Sequence, residues 1–316
     1  MNLDFSDLIF DVSGTARYKK VPGKQILTVP EEFEPDVSRM FSGIQETYKK
    51  TNRQEFQFLF DEVSFRVSRC DSVDGDCYFV RRMAKNIPSL KHLGYPKPLV
   101  SELLSPTRSY GLVIFAGRMG SGKTTSASAF LKDRLSLIGG HAISLEDPPE
   151  LPLQGNHYKK GACFQQDISG KSMSKALVQA LRFSSPEIIF LGELREDKAA
   201  SQAIRAALNG HLILCTIHAS GIEETLSRLI ALCRKHDGDA ASRLLADAFN
   251  CVIWQRLKMV RMPEGDQIKT VIDASYLLID KENETAVRSR IRANEFHQLK
   301  TEVQAQKNRF SLRNQA

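Results

Sequence analysis

The sequence predicts an α/β chain in two parts: a small N-terminal α+β domain over residues 1–95 and a larger domain over residues 96–316. The larger one carries a mostly parallel sheet and a helical C-terminal segment. Three observations lead there. Four continuous apolar runs alternate with helical stretches after residue 99, the pattern of strands buried on both faces and joined by helices. Before residue 95 the pattern is different, with alternating apolar and polar residues around an Asp-Gly turn. Between the two, Pro88, Pro96 and Pro98 read as a linker.

Taken in order, the first part opens with a short segment, Asp4 to Val12. A helical spacing over Val37–Lys50 follows, then a hairpin whose strands centre on Val63–Val67 and Tyr78–Val80. In the second part, Leu112–Ala116 is the first buried strand. A glycine-rich turn and a helix over Thr124–Leu137 follow it. His141–Leu145, Glu187–Gly192 and His211–Ile217 are the next strands, with helices at Lys175–Phe183 and Ala199–Leu208 between them. Near the end, Val287, Ile291, Leu299 and Val303 make the stripe of an amphipathic helix. The polar tail from residue 307 onward reads as a frayed end.

Composition narrows the classes. Of 316 residues, 42% are hydrophobic and 26% charged, values of a globular chain and not of a disordered or collagen-like one. No apolar run approaches the ~20 residues of a membrane-spanning helix, and the N-terminus lacks a basic region ahead of an apolar one, so a secretory signal is not expected. The six cysteines, scattered without a C-x-x-C pair, read as reduced thiols of a cytoplasmic protein. A net charge of +7 suits anionic partners without naming one. From Lys281 onward eight basic residues face four acidic ones. Arg288 and Arg292, one turn apart, form a basic face that either is solvated or docks an acidic partner or anionic lipid.

The chemistry begins at Gly117-Arg118-Met119-Gly120-Ser121-Gly122-Lys123-Thr124, followed by Thr125, which matches G-x-x-x-x-G-K-[ST] at every fixed position. It lies between a buried strand and a helix, where backbone N–H groups curl around phosphate oxygens. Lys123 would bridge the β- and γ-phosphates, and the Thr124 hydroxyl would ligate Mg²⁺. Hydrolysis also needs an acid at the end of another buried strand. Glu193 supplies one after Ile188-Ile-Phe-Leu-Gly, either polarising water or holding the metal ion. Glu146, Asp147 and Glu150 cluster at the end of the second strand; they form a metal-facing group or a solvated acidic loop. His211 and His218 bracket the fourth strand, where a histidine senses the γ-phosphate or is merely half-buried. Arg66 and Arg81 sit on the two hairpin strands, either reaching one phosphate group together or lying as surface cations on a ribbon.

Four clusters in this order, the P-loop, E-D-P-P-E, L-G-E-L-R-E and N-G-H-L-I-L-C-T-I-H-A-S, resemble the PilT/GspE family of secretion and type IV pilus ATPases. There they are the Walker A, aspartate, Walker B and histidine boxes. The resemblance rests on residues 111–260 and extends more loosely over 1–110 and 261–306. Ser220–Thr225 and Cys251–Leu257 look closest to the DotB/TraJ-like branch of type IVB secretion and conjugative transfer. Arg118-Met119 departs from the small or Pro-Thr pair usual inside that loop.

The resemblance implies a PAS-like N-terminal fold, a RecA-like ATPase domain, ATP and Mg²⁺, and a homohexamer completed by Arg66 and Arg81 across subunit boundaries. It places Glu146, Glu150, Glu193, His211 and His218 in the catalytic boxes and leaves open whether Glu150 or Glu193 is the general base. It also implies partners in an inner-membrane platform, with peripheral association at the bacterial inner membrane. The alternative is a RecA-like nucleic-acid motor. Against it counts the absence of the basic–aromatic interleaving that single-strand channels use; no direct sequence-specific nucleic-acid binding is expected.

Overall fold

A computed structural model describes residues 3–20, 25–155, 160–261 and 268–312. The chain divides into two compact units. One comprises Met1–Asn86 with Glu150–Pro152, the other Ile87–Pro149 with Leu153–Ala316. The division falls ahead of the expected boundary at 95/96, and the proline-marked segment is no linker. Ile87, Leu90 and Tyr95 are buried in the second unit. Prolines there shape the entry to a helix at Lys97.

The first unit contains β1 (Asp7–Phe10), β2 (Ala16–Lys19), β3 (Ile26–Thr28), α1 (Glu34–Thr51), β4 (Glu55–Phe60), β5 (Val63–Ser72) and β6 (Gly75–Arg82). Its sheet is antiparallel, ordered β3-β2-β1-β6-β5-β4. Alternation explains it. Leu8, Phe10, Phe65, Val67, Tyr78 and Val80 enter one core, while the residues between them leave on the other face. Helix α1 closes that core with Val37, Met40 and Ile44, a stripe at helical spacing. It carries Glu34 and Asp36 in its first turn, Lys49 and Lys50 in its last, and ends at Asn52 in a left-handed conformation, φ 49°. The expected hairpin is β5–β6, its turn at Val73-Asp74.

The second unit contains α2 (Lys97–Leu103), β7 (Gly111–Gly117), α3 (Lys123–Leu137), β8 (Gly140–Glu146), β9 (Gly161–Asp167), α4 (Met173–Ser184), β10 (Ile188–Leu191), α5 (Asp197–Leu208), β11 (Leu212–His218), α6 (Ile222–Asp237), α7 (Ala241–Ala248), β12 (Phe249–Arg261), β13 (Ile268–Leu278), α8 (Glu284–Arg292) and α9 (Leu299–Leu312). Its seven-stranded sheet runs β13-β12-β7-β11-β10-β8-β9. Every pairing is parallel except β12–β13. Strands β7 and β10 are buried along their whole length, which is why they read as unbroken apolar runs.

The C-terminal stripe is not one helix. The chain turns at Asn294, φ 59°, so Val287 and Ile291 pack from α8 and Leu299 from α9. Nor does the tail fray at 307: α9 continues to Leu312 and buries Phe310 against Tyr276; residues 313–316 lie outside the described ones. Arg288 and Arg292 are not a free basic face. Arg288 donates to the carbonyls of Ala246 and Asp247 and to Glu284, and Arg292 to Asp247 at 2.6 Å. They cap the C-terminal end of α7, where a cation is favoured. Among the described residues no helix is long and apolar enough to cross a membrane.

Candidate nucleotide site

Parallel strands bring distant boxes to one edge. Gly117, at the end of β7, is the register partner of His218, at the end of β11. Leu191 of β10 pairs with Cys215 of β11 and with Leu145 of β8, so Gly192 and Glu193 emerge beside Glu146 and His218. This is the carboxyl edge, where open α/β sheets bind their ligands.

The loop after β7 has the shape its glycines permit. Gly117, Gly120 and Gly122 have φ of 155°, 71° and 82°. At Gly117 the need is also one of space: a Cβ there would stand 2.3 Å from the carbonyl of Gln255 and 2.5 Å from the Ser121 hydroxyl. Arg118, Met119 and Gly120 are exposed at the crest, and Thr124 and Thr125 are half-buried in the first turn of α3. Lys123 is only 6% exposed. Its ammonium donates to the Arg118 carbonyl at 3.0 Å and lies 3.3 Å from Nδ1 of His218. An ammonium has only donors, so Nδ1 accepts and the ring hydrogen sits on Nε2. That nitrogen faces Glu193 Oε1 at 3.5 Å. Lysine, histidine and glutamate thus form one chain across three strand ends.

Backbone bonds hold each member. Gly192 N–H donates to Leu145, Leu194 N–H to the Thr216 carbonyl, and the Thr216 hydroxyl to the Gly192 carbonyl, fixing Glu193 between β8 and β11. Arg228 donates to the His218 carbonyl at 3.0 Å. Glu146 is 2% exposed and accepts from Gln165 of β9 at 2.8 Å, beneath Gly192. Asp147 pairs with Arg195 at 2.6 Å.

His211 is not part of this cluster. It precedes β11, at the opposite edge of the sheet, about 20 Å away at ~3.3 Å per residue. Its Nδ1 bonds the Pro186 carbonyl at 2.6 Å. It is a strand-start residue with a satisfied ring nitrogen. In the first unit, Arg66 and Arg81 are direct partners on one rung of β5–β6 and share the outer face. Arg66 bonds Glu55 at 2.8 Å and Arg81 bonds Asp7 at 2.8 Å. Glu150, grouped with this unit, lies 3.7 Å from Arg66.

Sequence reasoning missed the floor of the loop. Gln255 of β12, fully buried, donates from Nε2 to the Ser121 carbonyl at 2.7 Å and accepts from the Tyr95 hydroxyl. That hydroxyl also bonds Ser126 Oγ at 2.9 Å. The neighbouring Trp254 donates from Nε1 to the Ala219 carbonyl at 3.1 Å, just past His218. A signal was present: one glutamine inside the apolar run Cys251-Val-Ile-Trp-Gln is a polar group that must be partnered if the run is buried.

A strand-to-helix glycine loop with a lysine inside it, a threonine at the helix start, and a carboxylate and histidine beside it define a P-loop ATPase. The known proteins agree. The family described as "Type II/IV secretion system protein" matches residues 50–312. The type IV pilus ATPase PilU of Pseudomonas aeruginosa is 33% identical over 70% of this chain, which spans 54% of that protein. Among solved structures, the pilus retraction motor PilT with bound ADP aligns over 95% of this chain and 86% of its own at 24% identity, TM-score 0.76. The ATPase DotB of Legionella pneumophila aligns over 94% and 83% at 20% identity, TM-score 0.73. The chain belongs to the type II/IV secretion system protein family, with a PilT/DotB-type fold.

Proposed function

We propose that this chain is the ATP-hydrolysing motor of a type IV pilus, type IVB secretion or conjugative transfer machine. In this reading it works as a homohexamer on the cytoplasmic face of the bacterial inner membrane, docked on a membrane platform. The observation that carries the reading is the Lys123–His218–Glu193 chain at the mouth of the glycine loop. Family membership and the ADP named with PilT support it.

The residues fit ATP and Mg²⁺. The loop 117–122 is a run of glycine-rich backbone whose close approach to β12 only glycine at Gly117 permits, and Lys123 projects its ammonium at that loop. Residues Gly117 through Thr125 would hold the triphosphate, and the Thr124 hydroxyl and Glu193 would hold Mg²⁺. The ion, when bound, supplies Lewis-acid neutralisation of charge on the phosphate oxygens. Lys123 stabilises the negative charge that spreads over the γ-phosphoryl oxygens in the transition state. Glu193 orients the attacking water and accepts its proton, with Glu150 the other candidate. His218, hydrogen on Nε2, stands between the lysine and the glutamate and registers whether a γ-phosphate is there. Glu146 positions Glu193 from beneath. Arg66 and Arg81 serve a neighbouring subunit's nucleotide, which makes the ring necessary.

The test is complementation between defective subunits. Lys123→Ala alone and Arg81→Ala alone should each lose turnover. Mixed, they should regain part of it, since some interfaces then join a good loop to a good arginine. Lys123→Ala retaining near-normal turnover removes the loop assignment. Confirmed hexamers without rescue at any ratio remove action across subunits. Strong stimulation by single-stranded DNA would favour the nucleic-acid motor instead.

A further inference from the structure

Cys70 of β5 and Cys77 of β6 are direct partners on one rung of the arginine hairpin. Side chains directly opposite each other leave a sheet on the same face. Here it is the outer face, because Phe65, Val67, Tyr78 and Val80 of the same strands fill the core. Along that face the next rungs are Ser68–Phe79 and then Arg66–Arg81. Cys70 is exposed and Cys77 half-buried, while the other four cysteines are buried. Burial pushes the thiols of Cys163, Cys233 and Cys251 up to about 12 and that of Cys215 higher still. Those four stay protonated and out of reach, and a thiol reacts as thiolate. Accessible thiol chemistry therefore concentrates on one facing pair.

The rung decides what kind of bond the pair would make. Met83 N–H donates to the Ser64 carbonyl, so that pairing is a hydrogen-bonded one. Such rungs alternate, which makes 66–81, 68–79 and 70–77 hydrogen-bonded rungs as well. Their Cα atoms stand about 5.5 Å apart, within the span of a disulfide, yet their Cβ atoms are wider than the ~3.8 Å it prefers. Closure must draw the strands together, and a strained, exposed disulfide is easily reduced. This is the behaviour of a switch, not of a staple. Arg69, one rung farther from the turn and on the opposite face, reaches past the pair to Asp71 and Asp76 at 2.6 and 2.5 Å, so this end of the ribbon is tied together. A change in strand spacing at the pair is carried along the same face to Arg66–Arg81, two same-face rungs on.

We propose that Cys70 and Cys77 are an oxidation site for small-molecule disulfides of the glutathione class, closing reversibly to shift the hairpin that presents Arg66 and Arg81. The exposed Cys70 thiolate attacks the reagent's S–S bond, forming a mixed disulfide and expelling one reagent thiolate. The Cys77 thiolate then attacks the Cys70 sulfur and expels the second. Two electrons pass to the reagent, and the two cysteine protons end on the two released thiols. The site stands on its own geometry; its effect on turnover rests on the role proposed above for the arginines.

The experiment uses the full chain at graded ratios of reduced to oxidised glutathione. Native thiol counting should fall from two reactive groups to none. The tryptic peptide Cys70–Arg81 should lose two hydrogens, and dithiothreitol should reverse both. ATPase activity should change severalfold in step, and Cys70→Ser and Cys77→Ser should each keep the reduced-state rate but lose the response. A mixed disulfide that persists on Cys70, or cross-linking between chains, overturns the site. Closure with unchanged turnover overturns its control of the arginines, while the mixed-subunit rescue separately decides whether those arginines act at all.

Discussion

Replacing Gln255 with leucine tests whether the loop's shape is held from below. Leucine keeps most of the volume, so the change is chiefly electrostatic. The Ser121 carbonyl loses its donor at 2.7 Å, and the Tyr95 hydroxyl loses one of two partners but keeps Ser126. Depriving one buried carbonyl of its partner costs about 1–3 kcal/mol. In a domain of this size each kcal/mol lowers Tm by about 2–4 °C, so a fall of several degrees is expected. If the same energy holds the loop in its phosphate-binding shape, KM for ATP rises by about 5- to 150-fold. The turnover number, which the proposed mechanism assigns to Glu193, should fall much less. Thermal melts and ATP titrations of the same preparation decide it. A lowered Tm with KM unchanged refutes loop positioning, and neither quantity moving refutes the burial argument itself. Tyr95→Phe, which removes the hydroxyl shared by Gln255 and Ser126, should shift KM in the same direction.

Glu193→Gln should bind a fluorescent ATP analogue normally and turn over about 10²–10⁴-fold more slowly, because the geometry survives while the base is lost; single-turnover measurement reads this directly. Gly117→Ala should abolish nucleotide binding and lower Tm, since its methyl would meet a backbone oxygen at 2.3 Å that cannot move away. Arg288→Glu should cost roughly 1–3 kcal/mol in chemical denaturation by stripping the α7 carbonyls of their cation. The more exposed Arg292→Glu should cost less.

The parallel part of the fold was legible because its strands are buried on both faces, and such strands cannot hide. Leu112–Ala116 and Ile188–Leu191 announce themselves as runs. Lys123, Glu193 and His218 fall together for the related reason that parallel runs end at one edge of the sheet. His211 satisfied the same rule but at the wrong end of its strand, and a pattern that brackets a strand cannot say which end faces the ligand. Strand β9 was invisible: a sheet-edge strand, Gly161–Asp167 buries only Cys163 fully, so its composition looks like a loop. Strands β12 and β13 hid because their outer halves mix charged Arg256, Lys258 and Asp273 with exposed apolar Leu257, Met259 and Val260, on a ribbon extending beyond the pairing with β7. The segment around Pro96 and Pro98 resembles a linker in sequence because prolines mark helix entries as readily as loops.

The missed strand matters most for how the site works. Trp254 and Gln255 are consecutive, so they project to opposite faces of β12. One holds Ala219 beside His218; the other holds Ser121 inside the glycine loop. Those two grips address the two halves of the site, the loop that carries Lys123 and the strand end that carries His218. The same two strand ends are also tied directly, Ala219 N–H to the Gly117 carbonyl at 3.3 Å. A shift of β12 along its axis cannot therefore move one half alone. Gln255, 134 positions from Ser121 in sequence, holds the loop from below, and β12 continues past it into a ribbon that the sheet no longer supports. Force applied to that ribbon would reach Lys123 and His218 together.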